Sequence, residues 1–194
     1  SYGFQKRKRR EQAILVQNTI GWTLRQLKRG HFVGLHDVAN AFPSMDHPTL
    51  DAAMDKHATK GEAGLLKFRY KHTMVTIEWK DGTVANVRPT CGGLQGDGVM
   101  ANMFQEAYDL LTTWFIQVAR TTFADDVAET NIANTITEVE KVCRASNRTL
   151  DASLAEASMG QNTDKEELVI HFAGTGSSKH MQQAWEGHHG IRRS

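Results

Sequence analysis

Phe123-Ala124-Asp125-Asp126 places two adjacent aspartates directly after strand-like residues, and His36-Asp37-Val38-Ala39-Asn40-Ala41-Phe42 carries another aspartate far upstream. Two like charges at a hairpin bend repel each other unless a cation neutralises them. No glycine or asparagine eases that bend, which favours a functional site over an exposed turn. Carboxylates that meet from separate strands suit a two-metal phosphoryl-transfer site, because Mg²⁺ prefers oxygen ligands.

Asp37 and Phe42 each have a simpler interpretation when they are taken alone. A single aspartate at the end of a strand usually forms a turn or caps a helix. A phenylalanine usually belongs to the core. The glycine-rich segment Gly92-Gly93-Leu94-Gln95-Gly96-Asp97-Gly98 lies between the two acidic segments, and it is the combination of all three that indicates a site.

The composition is that of an ordinary globular domain. The chain has 194 residues, of which 40% are hydrophobic and 23% are charged, and this length can bury a substantial core. No apolar run is long enough to span a bilayer, and the basic N-terminus is not followed by the apolar core of a secretory signal. Cys91 and Cys143 are the only cysteines, so we expect an intracellular, reducing compartment, which includes the nucleus.

Positive charge is concentrated near the N-terminus, although the net charge is only +1. Lys6-Arg7-Lys8-Arg9-Arg10 is an unbroken basic run that could contact phosphates or act as a nuclear-import signal. A solvated helix start explains the run equally well. The nine histidines include no helical pair beside a glutamate, and we expect them to lie mostly at the surface.

The pattern predicts helix, strand, helix, hairpin, helix, hairpin, helix, strand. This order is typical of an α+β fold, in which a small antiparallel sheet is backed by helices. Asp81-Gly82 fits a two-residue hairpin turn, and the aspartate pair is expected at the bend of the second hairpin. The other predicted elements are helices over 11–27, from Pro48, over 99–118 and from Ile132, and strands over 31–38 and 167–172.

In this order the segments resemble the palm of a reverse transcriptase, most closely the type found in non-LTR retrotransposons. The resemblance implies a right-hand polymerase palm with partial fingers. It implies that Asp37 and Asp125 hold two Mg²⁺ ions, with Asp126 in support and Mn²⁺ as a substitute metal. Phe42 would exclude the 2′-hydroxyl of a ribonucleotide.

The resemblance extends to three further segments. Gln95 and Gly96 would contact the incoming nucleotide or the template, although a flexible loop before a helix is the simpler interpretation. Lys165, in Asn162-Thr163-Asp164-Lys165, would donate a proton to the leaving pyrophosphate, although a lysine in such a weak motif is usually a surface residue. Lys6 and Lys8, after Gly3-Phe4, would hold the triphosphate.

The implied domain order is a partial fingers segment over 1–30, a palm over 31–172 with a fingers hairpin inserted at about 65–90, and a flexible tail over 173–194. No thumb is recognisable, so we expect the core fragment of a retroelement enzyme. Its implied partners are an RNA template, a DNA primer and dNTPs, with no membrane and with protein partners undetermined.

Two rival functions remain open at this stage. Met100-Ala101-Asn102 replaces the family's Ser-Pro stretch, which suggests a catalytically silent, degenerate domain that only binds nucleic acid. An RNA-dependent RNA polymerase shares the palm carboxylates, but Phe42 argues against it, because that enzyme must accept the 2′-hydroxyl.

Overall fold

The computed structural model describes residues 7–93, 98–111 and 119–186. Its helices are α1 (Arg10–Gln26), α2 (Ala41–Ser44), α3 (His47–His57), α4 (Lys60–Lys71), α5 (Gly98–Leu111), α6 (Ile136–Ala155) and α7 (Ser177–Trp185). Its strands are β1 (His31–His36), β2 (Val38–Ala39), β3 (Val75–Glu78), β4 (Val84–Val87), β5 (Ala119–Phe123), β6 (Asp126–Ile132), β7 (Gly160–Gln161) and β8 (Glu167–His171). The predicted α+β class is confirmed.

The main sheet has four antiparallel strands in the order β5-β6-β1-β8. Its central strand β1 pairs with β6, so that His36 lies opposite Val127, and with β8, so that Leu35 lies opposite Glu167. Two short pairs, β2 with β7 and β3 with β4, lie outside this sheet. The carboxyl end of β1 and the start of β6 therefore meet at one edge of the sheet.

Helices cover both faces of the sheet. On one face, Gln17 of α1 donates to the hydroxyl of Thr121 (2.9 Å), and the hydroxyl of Thr130 donates to Gln17 (2.6 Å). On the other face, Phe32 of β1 packs against Ile136 and Val139 of α6. Side chains alternate along β1, so neighbouring residues of this strand face different helices.

The largest core lies between α3, α5 and the C-terminal half of α6. Burying a leucine or phenylalanine side chain of this kind stabilises a fold by about 1.5–3 kcal/mol. The fully buried side chains of this cluster include Leu50, Met54, Phe104, Tyr108 and Leu154. Val38 and Val127 belong to the same cluster, and each directly adjoins a predicted catalytic aspartate, so this core holds both acidic segments in place.

The inserted hairpin is shorter than expected. Helix α4 occupies the first part of the predicted 65–90 hairpin, because Thr59 and Glu62 form a capping box that starts a helix there. Sequence analysis missed α4, because its exposed leucine and phenylalanine side chains blur the helical pattern. The turn has three residues instead of two: Trp79 N–H donates to the Thr83 carbonyl (2.9 Å), and Gly82 adopts a φ of +84°.

The C-terminal segment contains a helix where a poorly ordered tail was expected. Helix α7 packs against α6, and Ala184 contacts the smaller core beside Phe172. The rings of Phe172 and His180 lie 5.5 Å apart. Among the described residues, no helix is long and apolar enough to cross a membrane.

Candidate active site

The three predicted aspartates meet at one edge of the main sheet. Asp37 directly follows β1, and Asp126 opens β6, the neighbouring antiparallel strand. Asp125 lies in the turn just before β6. Partial burial and the charges of Asp125 and Asp37 raise the pKa of Asp126 above its usual value. The fold thus brings together negative charges that act on one another.

The turn before Asp126 has a strained backbone. Phe123 pairs with Asp126, which leaves only Ala124 and Asp125 to turn the chain, and Ala124 adopts a φ of +55°. Left-handed backbone is unfavourable for alanine. The buried Tyr108 hydroxyl donates to the Asp125 carbonyl at 3.1 Å, which helps to hold the turn. Strain of this kind is often found at functional sites.

Asp37 is held by the segment around the weak Asn-x-x-Lys motif. The Asn162 backbone N–H donates to the Asp37 carbonyl, and its side-chain amide donates to Asp37 Oδ2, both at 2.9 Å. The ammonium group of Lys165 lies 3.1 Å from the same Oδ2. The structure therefore brings Lys165 to the predicted site.

A cleft of about 580 Å³ opens beside these charges, between α1 and the sheet. Its floor is mostly apolar and includes Val33, Leu35 and Phe123, while Arg10 and Lys165 supply cationic groups. This volume is in the range of small-ligand sites. An apolar floor beside both carboxylates and cations suits a ligand that carries a ring and phosphate groups.

Phe42 lies against the main core. Its ring stacks on Phe104, with centroids 4.4 Å apart, and it packs on the main core while staying partly exposed. The glycine-rich segment approaches it closely: Gly93 N–H donates to the Phe42 carbonyl at 3.3 Å. A Cβ on Gly92 would lie 2.5 Å from Pro43 Cα, so only glycine fits at that position.

The other four predicted binding residues lie in, or next to, segments outside the described residues. Lys8 is exposed at the start of the described chain. Lys6, Gln95 and Gly96 lie outside the described residues.

The donor chemistry of the site fits a divalent cation. Asp37, Asp125 and Asp126 supply hard oxygen ligands, and the pKa of Asp126 is raised first by its partial burial and then by the negative charges of Asp125 and Asp37. Lys165 already places one positive charge on Asp37. Within residues 7–93, 98–111 and 119–186, no three His, Cys, Asp or Glu side chains lie close enough together to enclose an ion. The aspartates would therefore have to adjust when they bind a metal.

Sequence analysis missed a buried polar cluster beneath Asp37. The expectation that the histidines lie mostly at the surface was wrong for His31 and His36, which are 4% and 6% exposed. His36 lies among Glu129, Ser146 and Glu166. The period-2 pattern of β1 could have indicated that His36 shares a buried face with Phe32.

No protein-family model matches this chain, and no curated protein sequence matches it. Its fold is similar to solved telomerase structures. Apo telomerase from Candida tropicalis matches with a TM-score of 0.61 and 10% identity, over 84% of this chain and 32% of the telomerase chain. Telomerase from Candida tropicalis in complex with a TWJ fragment of telomeric RNA matches with a TM-score of 0.60 and 12% identity, over 84% and 30%.

Telomerase from Candida albicans, also in complex with a TWJ fragment of telomeric RNA, matches with a TM-score of 0.57 and 10% identity, over 90% of this chain and 32% of the telomerase chain. The present chain thus spans about a third of the length of these telomerases. At such low identity the likeness concerns the fold alone. The chain has a fold like that of telomerase, a polymerase related to reverse transcriptases.

Proposed function

We propose that this chain is the core of an RNA-directed DNA polymerase of a retroelement, of the non-LTR type. The observation that carries the proposal is the meeting of Asp37 with Asp125 and Asp126 at one edge of the sheet, with Lys165 beside them. The telomerase-like fold supports it.

The residues would divide the reaction among them. Asp37, Asp125 and Asp126 would hold two Mg²⁺ ions, for which Mn²⁺ could substitute. When bound, the metal would favour ionisation of the primer hydroxyl and stabilise charge on the phosphate oxygens. The primer 3′-hydroxyl attacks the α-phosphorus of a dNTP, and pyrophosphate leaves. Lys165, whose ammonium group lies 3.1 Å from Asp37, would protonate that leaving group.

Substrate recognition would rest on three features. The ring of Phe42 stacks on the buried ring of Phe104, and its bulk would exclude a 2′-hydroxyl. Arg10 lines the cleft and acts on Asp126 through its charge, and it would attract the triphosphate together with Lys6 and Lys8. Gln95 and Gly96 would contact the incoming nucleotide or the template.

The proposed partners also include an RNA template and a DNA primer. The proposed compartment is intracellular and reducing, with the nucleus included.

The test is primer extension on an RNA template with Mg²⁺ and dNTPs. The wild type is compared with the Asp125→Asn, Asp126→Asn double variant and with Asp164→Asn, an exposed aspartate near Lys165. We expect extension by the wild type and by Asp164→Asn, and none by the double variant. Folding of each variant is checked by circular dichroism.

Three outcomes would contradict the proposal. Equal extension by the double variant would show that the carboxylates are not the catalytic groups. A folded wild type that binds RNA but extends no primer would favour a degenerate nucleic-acid-binding domain. Equal use of rNTPs and dNTPs would instead indicate an RNA polymerase.

A further inference from the structure

We propose that His36 is a positioning residue: through Glu166 it fixes where Lys165 stands relative to Asp37. The role of Lys165 in this inference rests on the proposed function, whereas the contacts between these residues do not depend on it. Position 36 carries an imidazole and position 37 a carboxylate, while position 165 carries an ammonium and position 166 a carboxylate. In the structure, His36 lies next to Glu166, and Asp37 lies next to Lys165.

The first contact joins Asp37 to Lys165. Lys165 Nζ lies 3.1 Å from Asp37 Oδ2. Two thirds of the Lys165 side chain is exposed, against 15% of Asp37. An exposed lysine loses side-chain entropy when it is held in one place, so this contact alone would not fix Lys165.

The second contact joins His36 to Glu166 beneath the sheet. His36 Nδ1 lies 3.6 Å from Glu166 Oε1, and His36 Nε2 lies 3.9 Å from Glu129 Oε2. The Asn147 side-chain amide donates to the other oxygen of Glu166 at 3.1 Å. Glu166 directly follows Lys165, so holding Glu166 also holds the backbone that carries Lys165.

A glycine next to His36 on β1 leaves space for its imidazole ring. Gly34 precedes it on the same face of β1, and a Cβ on Gly34 would lie only 3.1 Å from His36 Nε2. Glu129, which lies near the same nitrogen of His36, is held by Asn131, whose amide donates at 2.8 Å, and by the hydroxyl of Ser146. The imidazole therefore has a defined place between β6 and the turn before β8.

An ordinary core role does not explain this arrangement well. His36 Nδ1 and Glu166 Oε1 are buried without a hydrogen-bond partner among the described residues. Burying such groups is costly, and a well-packed apolar side chain would usually stabilise the fold more. The cluster is linked to the predicted site through Glu166 and Lys165, and also through His36 itself, which directly precedes Asp37.

The consequence can be measured as metal affinity, without any polymerisation. Lys165 and a divalent cation compete for Asp37 Oδ2. If His36 holds Lys165 in place, His36→Gln loosens this competitor, and the metal binds more tightly. A purely structural role predicts the opposite or no change, because disturbing the sheet edge would disorder the aspartates.

The experiment is Mn²⁺ titration of the full chain, followed by electron paramagnetic resonance of the free ion. The variants are His36→Gln, Lys165→Met, the double variant, and His171→Gln as the matched control in the same sheet. Exposed ion pairs of this kind shift affinity by about two- to five-fold. We expect Lys165→Met and His36→Gln each to tighten Mn²⁺ binding within this range, and His171→Gln to leave it unchanged.

The double variant separates positioning from a direct charge effect. If His36 acts through Lys165, adding His36→Gln to Lys165→Met changes nothing further. Additive effects, weaker binding in His36→Gln, or no Mn²⁺ binding by either the wild type or Lys165→Met would each overturn the inference. Gly34→Ala, which crowds His36 from the other side, should tighten binding in the same direction if His36→Gln fails to fold.

Failure of this inference and failure of the proposed function are distinguishable. A chain that shows the expected Mn²⁺ affinities but extends no primer would retain His36 as the positioning residue of a non-polymerising site. A chain that extends primers while His36→Gln leaves Mn²⁺ affinity unchanged would keep the polymerase proposal and lose this one.

Discussion

The ring of Phe42 stacks on the ring of Phe104, with centroids 4.4 Å apart and planes 25° from parallel. Phe104 is buried, whereas Phe42 is partly exposed at the edge of the same core. Phe42 therefore packs against the main core, as the simpler interpretation predicts, and its role as a sugar gate stays a prediction.

Phe42→Ala should relax sugar selection. Removing the ring removes the bulk that would clash with a 2′-hydroxyl, and we expect the preference for dNTPs over rNTPs to fall at least about tenfold. The measurement is the ratio of kcat/KM for dATP and ATP. Phe68→Ala, which removes an exposed phenylalanine from α4, is the control and should leave the ratio unchanged. An unaltered ratio in Phe42→Ala would exclude Phe42 as the sugar gate.

Ala124→Gly should stabilise the fold while it impairs the site. Glycine removes the strain of the left-handed backbone at φ +55°, which stabilises the folded state by about 1–2 kcal/mol. Glycine also makes the unfolded chain more flexible, which lowers the free energy of unfolding by about 0.5–1 kcal/mol. We expect the free energy of unfolding in urea to rise by about 0.5 kcal/mol. Primer extension should fall, because the aspartates are held less firmly.

Ala128→Gly is the matched control for that experiment. Ala128 lies within β6 and has no positive φ to relieve, so the same substitution should destabilise the fold by about 0.5–1 kcal/mol. If both glycine variants lose stability equally, the turn is not strained.

Asp126→Asn should raise the melting temperature at neutral pH. Partial burial and the neighbouring Asp125 and Asp37 raise the pKa of Asp126 in the folded state. Protonated Asp126 therefore contributes its full stabilisation at a pH below about 3.8, the pKa of this group in the unfolded chain. This stabilisation is lost as the pH rises through the higher pKa that Asp126 has in the folded protein. Asparagine keeps the uncharged state at every pH.

Thermal melts of wild type and Asp126→Asn at pH 3.5 and pH 7 check this prediction. The variant should be the more stable protein at pH 7 only. Asp164→Asn controls for the removal of a negative charge from the surface. A larger advantage of Asp126→Asn at acid pH would reverse the sign and refute the electrostatic argument.

Arg10→Gln should weaken nucleotide binding. Arg10 starts α1, lines the cleft and acts on Asp126 through its charge. Cations near a helix N-terminus are unfavourable for the helix, so a basic residue there is better explained by an anionic ligand. We expect the KM for dNTPs to rise about two- to five-fold with little change in kcat. Arg29→Gln, at an exposed residue beyond α1, should have no effect.

The sequence predicted those parts of the fold that local patterns encode. The second hairpin, the long helix after Gly98 and the helix starting at His47 with Pro48 in its first turn all have local signals, and the structure contains them. The predicted helix over 99–118 includes residues 112–118, which lie outside the described residues. Helix α4 was missed because its exposed apolar side chains are not those of an amphipathic surface helix.

The candidate site was predictable as a set of motifs but not as a set of contacts. Asp37 and Asp125 stand beside strands that the sequence indicates, so their meeting followed from the fold. The cluster of His36 with Glu129 and Glu166 did not, because Glu129 lies on β6 and Glu166 in the turn before β8, and no local pattern brings these residues together. Helix α7 depends likewise on packing against α6, which no local pattern encodes.

The central position of β1 in the sheet governs when the site can form during synthesis. Its partners β6 and β8 both come from the C-terminal half of the chain, and Asn162 meets Asp37 across 125 residues. Contacts of such high sequence separation form slowly, and a nascent chain exposes its apolar strand until they do. The contacts of Asp37 with Asn162 and Lys165 can therefore form only after nearly the whole domain has been synthesised.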